Sequence, residues 1–207
     1  MIRLISAVLV LSASIALADE KLKSPKPDGV ELKAPEGWFG ERIKLPPGFA
    51  RDMKFEGTED IKFAPGMFKP DNADFFSYAF VFELTKESKI DQKSLDTEFL
   101  KYYRGLCKAV SKDKPDTKDF TVKLKPIKAE ATKSEPKGIK QFHGDIDWIE
   151  PFRTNRRQTL HVELQVWQAK QFNYLFVCVS PQAKSAKIWK SLHKVRADFH
   201  AANRSGK

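Results

Sequence analysis

The chain has 207 residues, 41% hydrophobic and 31% charged, with 16 Phe, four Trp and four Tyr among them. That is enough apolar material for the core of one ordinary domain, and it excludes disorder over the whole chain. The formal charge of +10 draws the protein towards anionic partners without saying which.

Met1 to Arg3 is a short basic start, Leu4 to Leu17 is apolar apart from serines, and Ala16-Leu17-Ala18 has the small-x-small pattern of a cleavage site. The pattern predicts a signal peptide over residues 1–18 and a secreted or periplasmic protein. The apolar run is too short for an anchor and ends in Asp19, Glu20 and Lys21, so the protein is not expected to span a membrane once the signal is removed. Residues 19–29 are rich in Lys, Pro and acid without apolar periodicity, which predicts an extended or disordered leader. A single α+β domain is expected over residues 30–203.

From Val30 to Asp74 turn signals crowd the text (Glu36-Gly37, Pro46-Pro47-Gly48, Glu56-Gly57, Pro65-Gly66), so short strands and loops are expected there. Phe75 to Leu84 is apolar on both faces and reads as a central strand. Leu95, Phe99, Tyr102, Tyr103, Leu106 and Val110 then recur at three and four, predicting a helix over residues 94–111 with Ser94 as its cap. Phe120, Val122 and Leu124 alternate with polar residues in a strand expected to stop at Pro126.

Phe142 to Trp148 and Leu160 to Val166 are two alternating runs joined through Pro151 to Arg157. As a hairpin with Trp148 opposite Leu160, Ile146 opposite Val162 and Phe142 opposite Val166, they bury one shared face. Phe172 to Val179 is another strand apolar on both faces. A second helix is expected over residues 181–202, capped by Ser180, with Ile188 or Trp189, Leu192, Val195 and Phe199 as its buried stripe. The result is an α+β fold, a mostly antiparallel sheet with two main helices packed on it. This order of elements resembles the PsbP and Mog1-like fold, which implies a curved antiparallel sheet flanked by helices with a helix at the end of the chain. The resemblance carries no functional residue, since folds of this kind host unrelated activities.

His143-x-Asp145-x-Asp147 is the leading candidate for chemistry, because strand alternation puts all three side chains on one face. The expected register sets His161 opposite Asp147 and Glu163 opposite Asp145, with Trp167 further along the same face. Imidazoles and carboxylates at that spacing suit a divalent metal in a hydrolase or lyase, while a wet polar sheet face has the same pattern with no activity at all. The aromatics Trp38, Phe39, Phe49, Met67 and Phe68 lie among glycines and prolines, where they either fill the core or line a partner surface. Cys107 and Cys178, the two cysteines, form a disulfide or remain as buried thiols.

Lysines interleaved with acids, as in Lys112-Asp113-Lys114, make a solvated surface rather than a nucleic-acid groove; the dense basic spot is Arg153, Arg156 and Arg157. The chain has no G-x-S-x-G elbow, H-E-x-x-H pair, Gly-rich phosphate loop or haem motif, so no cofactor is implied. The composition thus favours an exported binding module, more naturally non-enzymatic, for an anionic envelope surface or a protein partner and not for nucleic acid.

Overall fold

A computed structural model describes residues 31–128, 135–136 and 138–204, in which seven strands form one antiparallel sheet. The signal peptide and the leader expected over residues 1–29 lie outside the described residues. The strands are β1 (Phe39–Leu45), β2 (Gly57–Phe63), β3 (Tyr78–Thr85), β4 (Thr121–Ile127), β5 (Lys140–Glu150), β6 (Arg156–Ala169) and β7 (Phe172–Ser180), in the spatial order β1-β2-β3-β7-β6-β5-β4. The helices are α1 (Gln92–Val110) and α2 (Lys187–Arg204). β3 and β7, the two strands apolar on both faces, lie at the centre, where both faces need covering.

One face carries the larger core. Phe80 and Phe82 of β3, Val177 and Val179 of β7, Val162 and Leu164 of β6 and Ile146 and Trp148 of β5 are buried with Leu95, Phe99, Tyr102 and Tyr103 of α1. The opposite face is covered over β7 and β3 by α2, whose Trp189, Leu192, Val195 and Phe199 are buried above Phe176, Cys178 and Trp167. Neither described helix is long and apolar enough to cross a membrane.

Both helices start where backbone donors find partners, and this moves their expected ends. Asp91, not Ser94, caps α1: its side chain accepts from the Ser94 N–H at 2.8 Å, and Ser94 Oγ accepts in return from the Asp91 N–H at 2.9 Å. Ser180 does not cap α2, because its hydroxyl is engaged with Ser77 at 2.8 Å and with the Gln182 N–H at 3.1 Å. The chain turns through Pro181 to Ala186, and the helix starts at Lys187. Pro126 does not end β4, because β4 is an edge strand with an open side for a residue lacking an N–H.

The β5–β6 register differs from the expected one by two residues: Ile146 faces Leu160, Asp145 faces His161 and His143 faces Glu163. The cause is Glu150, a fully buried acid whose carboxylate accepts from the backbone N–H groups of Phe152, Arg153 and Thr154 and from the Thr154 hydroxyl. It pins a tight turn immediately after itself, with Asn155 left-handed at φ 51°. The pairing therefore closes between Glu150 and Arg156.

The cysteines do not form the disulfide that the sequence left open. Cys107 is buried on α1 over one face, and Cys178 lies under α2 on the other, its thiol directed at the Leu192 carbonyl 3.7 Å away. The sheet separates them.

Candidate functional site

The polar hairpin face exists, but its side chains satisfy one another instead of converging. Asp145 Oδ1 is 2.7 Å from His161 Nδ1, and Asp147 accepts from the hydroxyls of Thr159 at 2.6 Å and Thr121 at 3.3 Å. Exposed His143 is the cross-strand neighbour of Glu163. The Glu163 carboxylate takes three basic partners: Lys184 at 3.2 Å, and His193 at 2.8 Å and Arg196 at 3.1 Å from α2. Burial alone would raise Glu163, but the His193 hydrogen bond and the charges of Lys184, His193 and Arg196 outweigh it and hold the carboxyl at about 2. Glu163 is thus an anchor for the C-terminal helix.

Trp167 is 6% exposed, stacked on Tyr174 at 5.5 Å and covered by Phe199 and His200, so its ring presents no open face. Among the described residues, no group of three or more His, Cys, Asp or Glu side chains is placed to hold a metal ion. The partners of Glu163, from α2 and the turn before it, were beyond sequence reading, because nothing local in Lys184, His193 or Arg196 points to Glu163.

The aromatic loops divide. Met67 is buried, Phe49 packs edge-on against Tyr102 at 5.0 Å, and Trp38 is half-buried. Phe49 also borders an open hollow of about 510 Å³ with Gly105, Lys108, Ala109, Lys114 and Pro115, which brings no carboxylate or imidazole together.

Phe39 and Phe68 do something else. Phe39 is the first residue of β1 and is 44% exposed; its ring lies 5.3 Å from Phe63 and 6.1 Å from Phe68. Phe68 continues the row to Phe152 at 5.6 Å, and the Arg153 guanidinium sits 5.5 Å over its ring. Phe63, Phe68 and Phe152 are half-buried and pack on the large core. The sheet thus ends in four adjoining phenylalanines open to solvent at Phe39, with an arginine laid on Phe68 and exposed Arg156 three residues further along the chain. The sequence supplied Phe39, Phe68 and Arg153 as separate signals; joining them requires the loop after β2 to meet the β5–β6 turn.

A third feature went unread. Glu59 of β2 is fully buried on the α1 face, its two oxygens each 3.2 Å from the Tyr102 hydroxyl, next to the Tyr78–Tyr103 hydroxyl pair at 2.5 Å. Burial, reinforced by the charges of Glu41 and Asp60 against a lowering hydrogen bond from Tyr102, pushes its carboxyl up to about 8. Comparison with protein families, characterised proteins and solved structures gave no match.

Proposed function

We propose that the chain is an exported, non-enzymatic binding module that docks an anionic partner through the phenylalanine end of its sheet. The observation that carries this reading is the open row Phe39, Phe63, Phe68 and Phe152 with Arg153 over Phe68. Aromatic rings with arginine are the residues that anchor protein interfaces, because they bury a large area at low entropic cost and the guanidinium keeps a donor for a polar partner. A net charge of +10 steers negatively charged molecules to that surface. The PsbP and Mog1-like order of elements fits this use, since such scaffolds carry unrelated functions at grafted surfaces.

Site-specific crosslinking tests the reading in producing cells. With p-benzoylphenylalanine in place of Phe39, illumination should give a discrete higher-mass adduct. The same probe in place of Ile127, the other exposed large apolar side chain among the described residues, should not. No adduct at Phe39, or equal adducts at both positions, rejects the docking surface.

A further inference from the structure

The two edges of the sheet are treated differently. β4 is blunted: Lys123 and Lys125 are exposed along it, Pro126 has no N–H to offer, and the Leu124 N–H is taken by Asp96 Oδ1 of α1 at 2.9 Å. Charge, proline and a covering helix are the usual ways to stop an edge from recruiting another strand. β1 has no proline, and among the described residues no hydrogen bond reaches the backbone of Phe39–Leu45 from the side away from β2.

The side chains of β1 sort by face. Phe39 lies on the same side as Phe63, at the phenylalanine row. Arg42 and Lys44 project to the other side, opposite Asp60 and Thr58, and neither makes an ion pair among the described residues. Asp60 is occupied by Lys62 at 2.9 Å and by the Leu32 N–H at 3.1 Å. The open edge therefore offers backbone donors and acceptors, two unneutralised cations on one face and an apolar seat at one end of the other.

Resting on the reading of the Phe39 end as the docking surface, the geometry points to strand addition at β1 by an extended acidic segment of another protein. Its backbone pairs with Phe39–Leu45, its carboxylates alternate onto Arg42 and Lys44, and an apolar side chain seats against Phe39 and Phe68. Backbone pairing supplies affinity and the alternate side chains supply selectivity. A strand of this length spans about 23 Å, room for roughly seven residues of partner. A second copy suits the edge poorly: antiparallel self-pairing centred on the strand would set Arg42 against Arg42 in two chains of +10 each.

The test uses the purified full chain and three synthetic ten-residue peptides. One alternates glutamate with valine and ends in phenylalanine, one has lysine for glutamate, and one is the glutamate peptide N-methylated at alternate residues. Amide hydrogen exchange is followed along β1 and β4. The glutamate peptide should slow exchange tenfold or more at alternate amides of Phe39–Leu45 and leave β4 unchanged. N-methylation should abolish the effect, the lysine peptide should give none, and Arg42→Glu with Lys44→Glu should weaken binding at least tenfold.

Undiminished binding of the N-methylated peptide would overturn strand addition and leave the docking surface standing. So would failure of the glutamate peptide while the Phe39 crosslink still forms. Protection of β1 before any peptide is added would also overturn the proposal: it identifies a second copy if it depends on concentration, and the chain's own N-terminal segment if it does not.

Discussion

Replacing Glu59 with Gln should remove a loss of stability that sets in as pH rises. In the fold this carboxyl is fully buried and titrates at about 8, whereas its ordinary value is 4.5. A raised value means that the folded state holds the proton more tightly, so the group's contribution is complete below 4.5 and is lost as pH rises through 8. Each pH unit in that window costs about 1.4 kcal/mol, or roughly 4 to 5 kcal/mol by the upper end, a large part of the stability of a domain. Gln keeps the shape and an acceptor for the Tyr102 hydroxyl but never ionises. Glu59→Gln should match the parent within about 1 kcal/mol near pH 4.5 and exceed it by several kcal/mol at pH 8, which raises Tm by about 10 °C. Thermal and urea denaturation across this range read the difference. If the two proteins lose stability in parallel from pH 4.5 to 8, Glu59 is already charged in the fold and the reasoning fails.

Glu163→Gln should cost about 1 to 3 kcal/mol at pH 7, since it leaves Lys184, His193 and Arg196 without their carboxylate, whereas Asp145→Asn, at a surface pair, should cost less than about 1 kcal/mol. Because Glu163 is held at about 2, below its ordinary 4.5, its contribution is present above 4.5 and lost as pH falls through 2, so the variant's acid limb should be flatter over that window. Gly105→Ala should destabilise by about 2 kcal/mol despite the better helix propensity of Ala. The added Cβ would lie 2.2 Å from the Phe49 carbonyl oxygen, and a more stable variant in thermal denaturation would show that the loop yields freely. Unfolding without reductant should release two free thiols per chain that label slowly in the native state, where burial raises the Cys107 thiol and pushes that of Cys178 up to about 12; a single disulfide in the labelling assay would contradict their placement on opposite faces.

Where hydrophobic period is strong, the fold could be read from the sequence. β3 was expected to be central and β7 to be apolar on both faces, as they are, and the stripe Trp189, Leu192, Val195 and Phe199 of α2 is buried as expected. β1 and β2 fall in the stretch expected to hold short strands and loops, but their bounds could not be placed because Gly-Glu-Arg-Ile-Lys and Thr-Glu-Asp-Ile-Lys are charged text between glycines and prolines. In the hairpin, alternation settles which face each residue takes but not the offset between strands, since a slip of two keeps every residue on its face. The offset is decided by Glu150 in the turn. That slip put His161 opposite Asp145, where Glu163 had been expected, and the two form a pair. Alternation therefore put the polar side chains of the hairpin on one face, but the neutralisation of Glu163 from α2 and the joining of Phe39, Phe68 and Arg153 both depend on contacts between distant segments.

The choice between the two surfaces is open to one titration. Backbone amide shifts of the labelled protein, recorded while the glutamate and valine peptide is added, should move at Phe39–Leu45, Phe63, Phe68 and Phe152–Arg153 and stay still elsewhere. Shifts centred instead on His143, Asp145, His161 and Glu163 would contradict the account and return the site to the polar face of the β5–β6 hairpin.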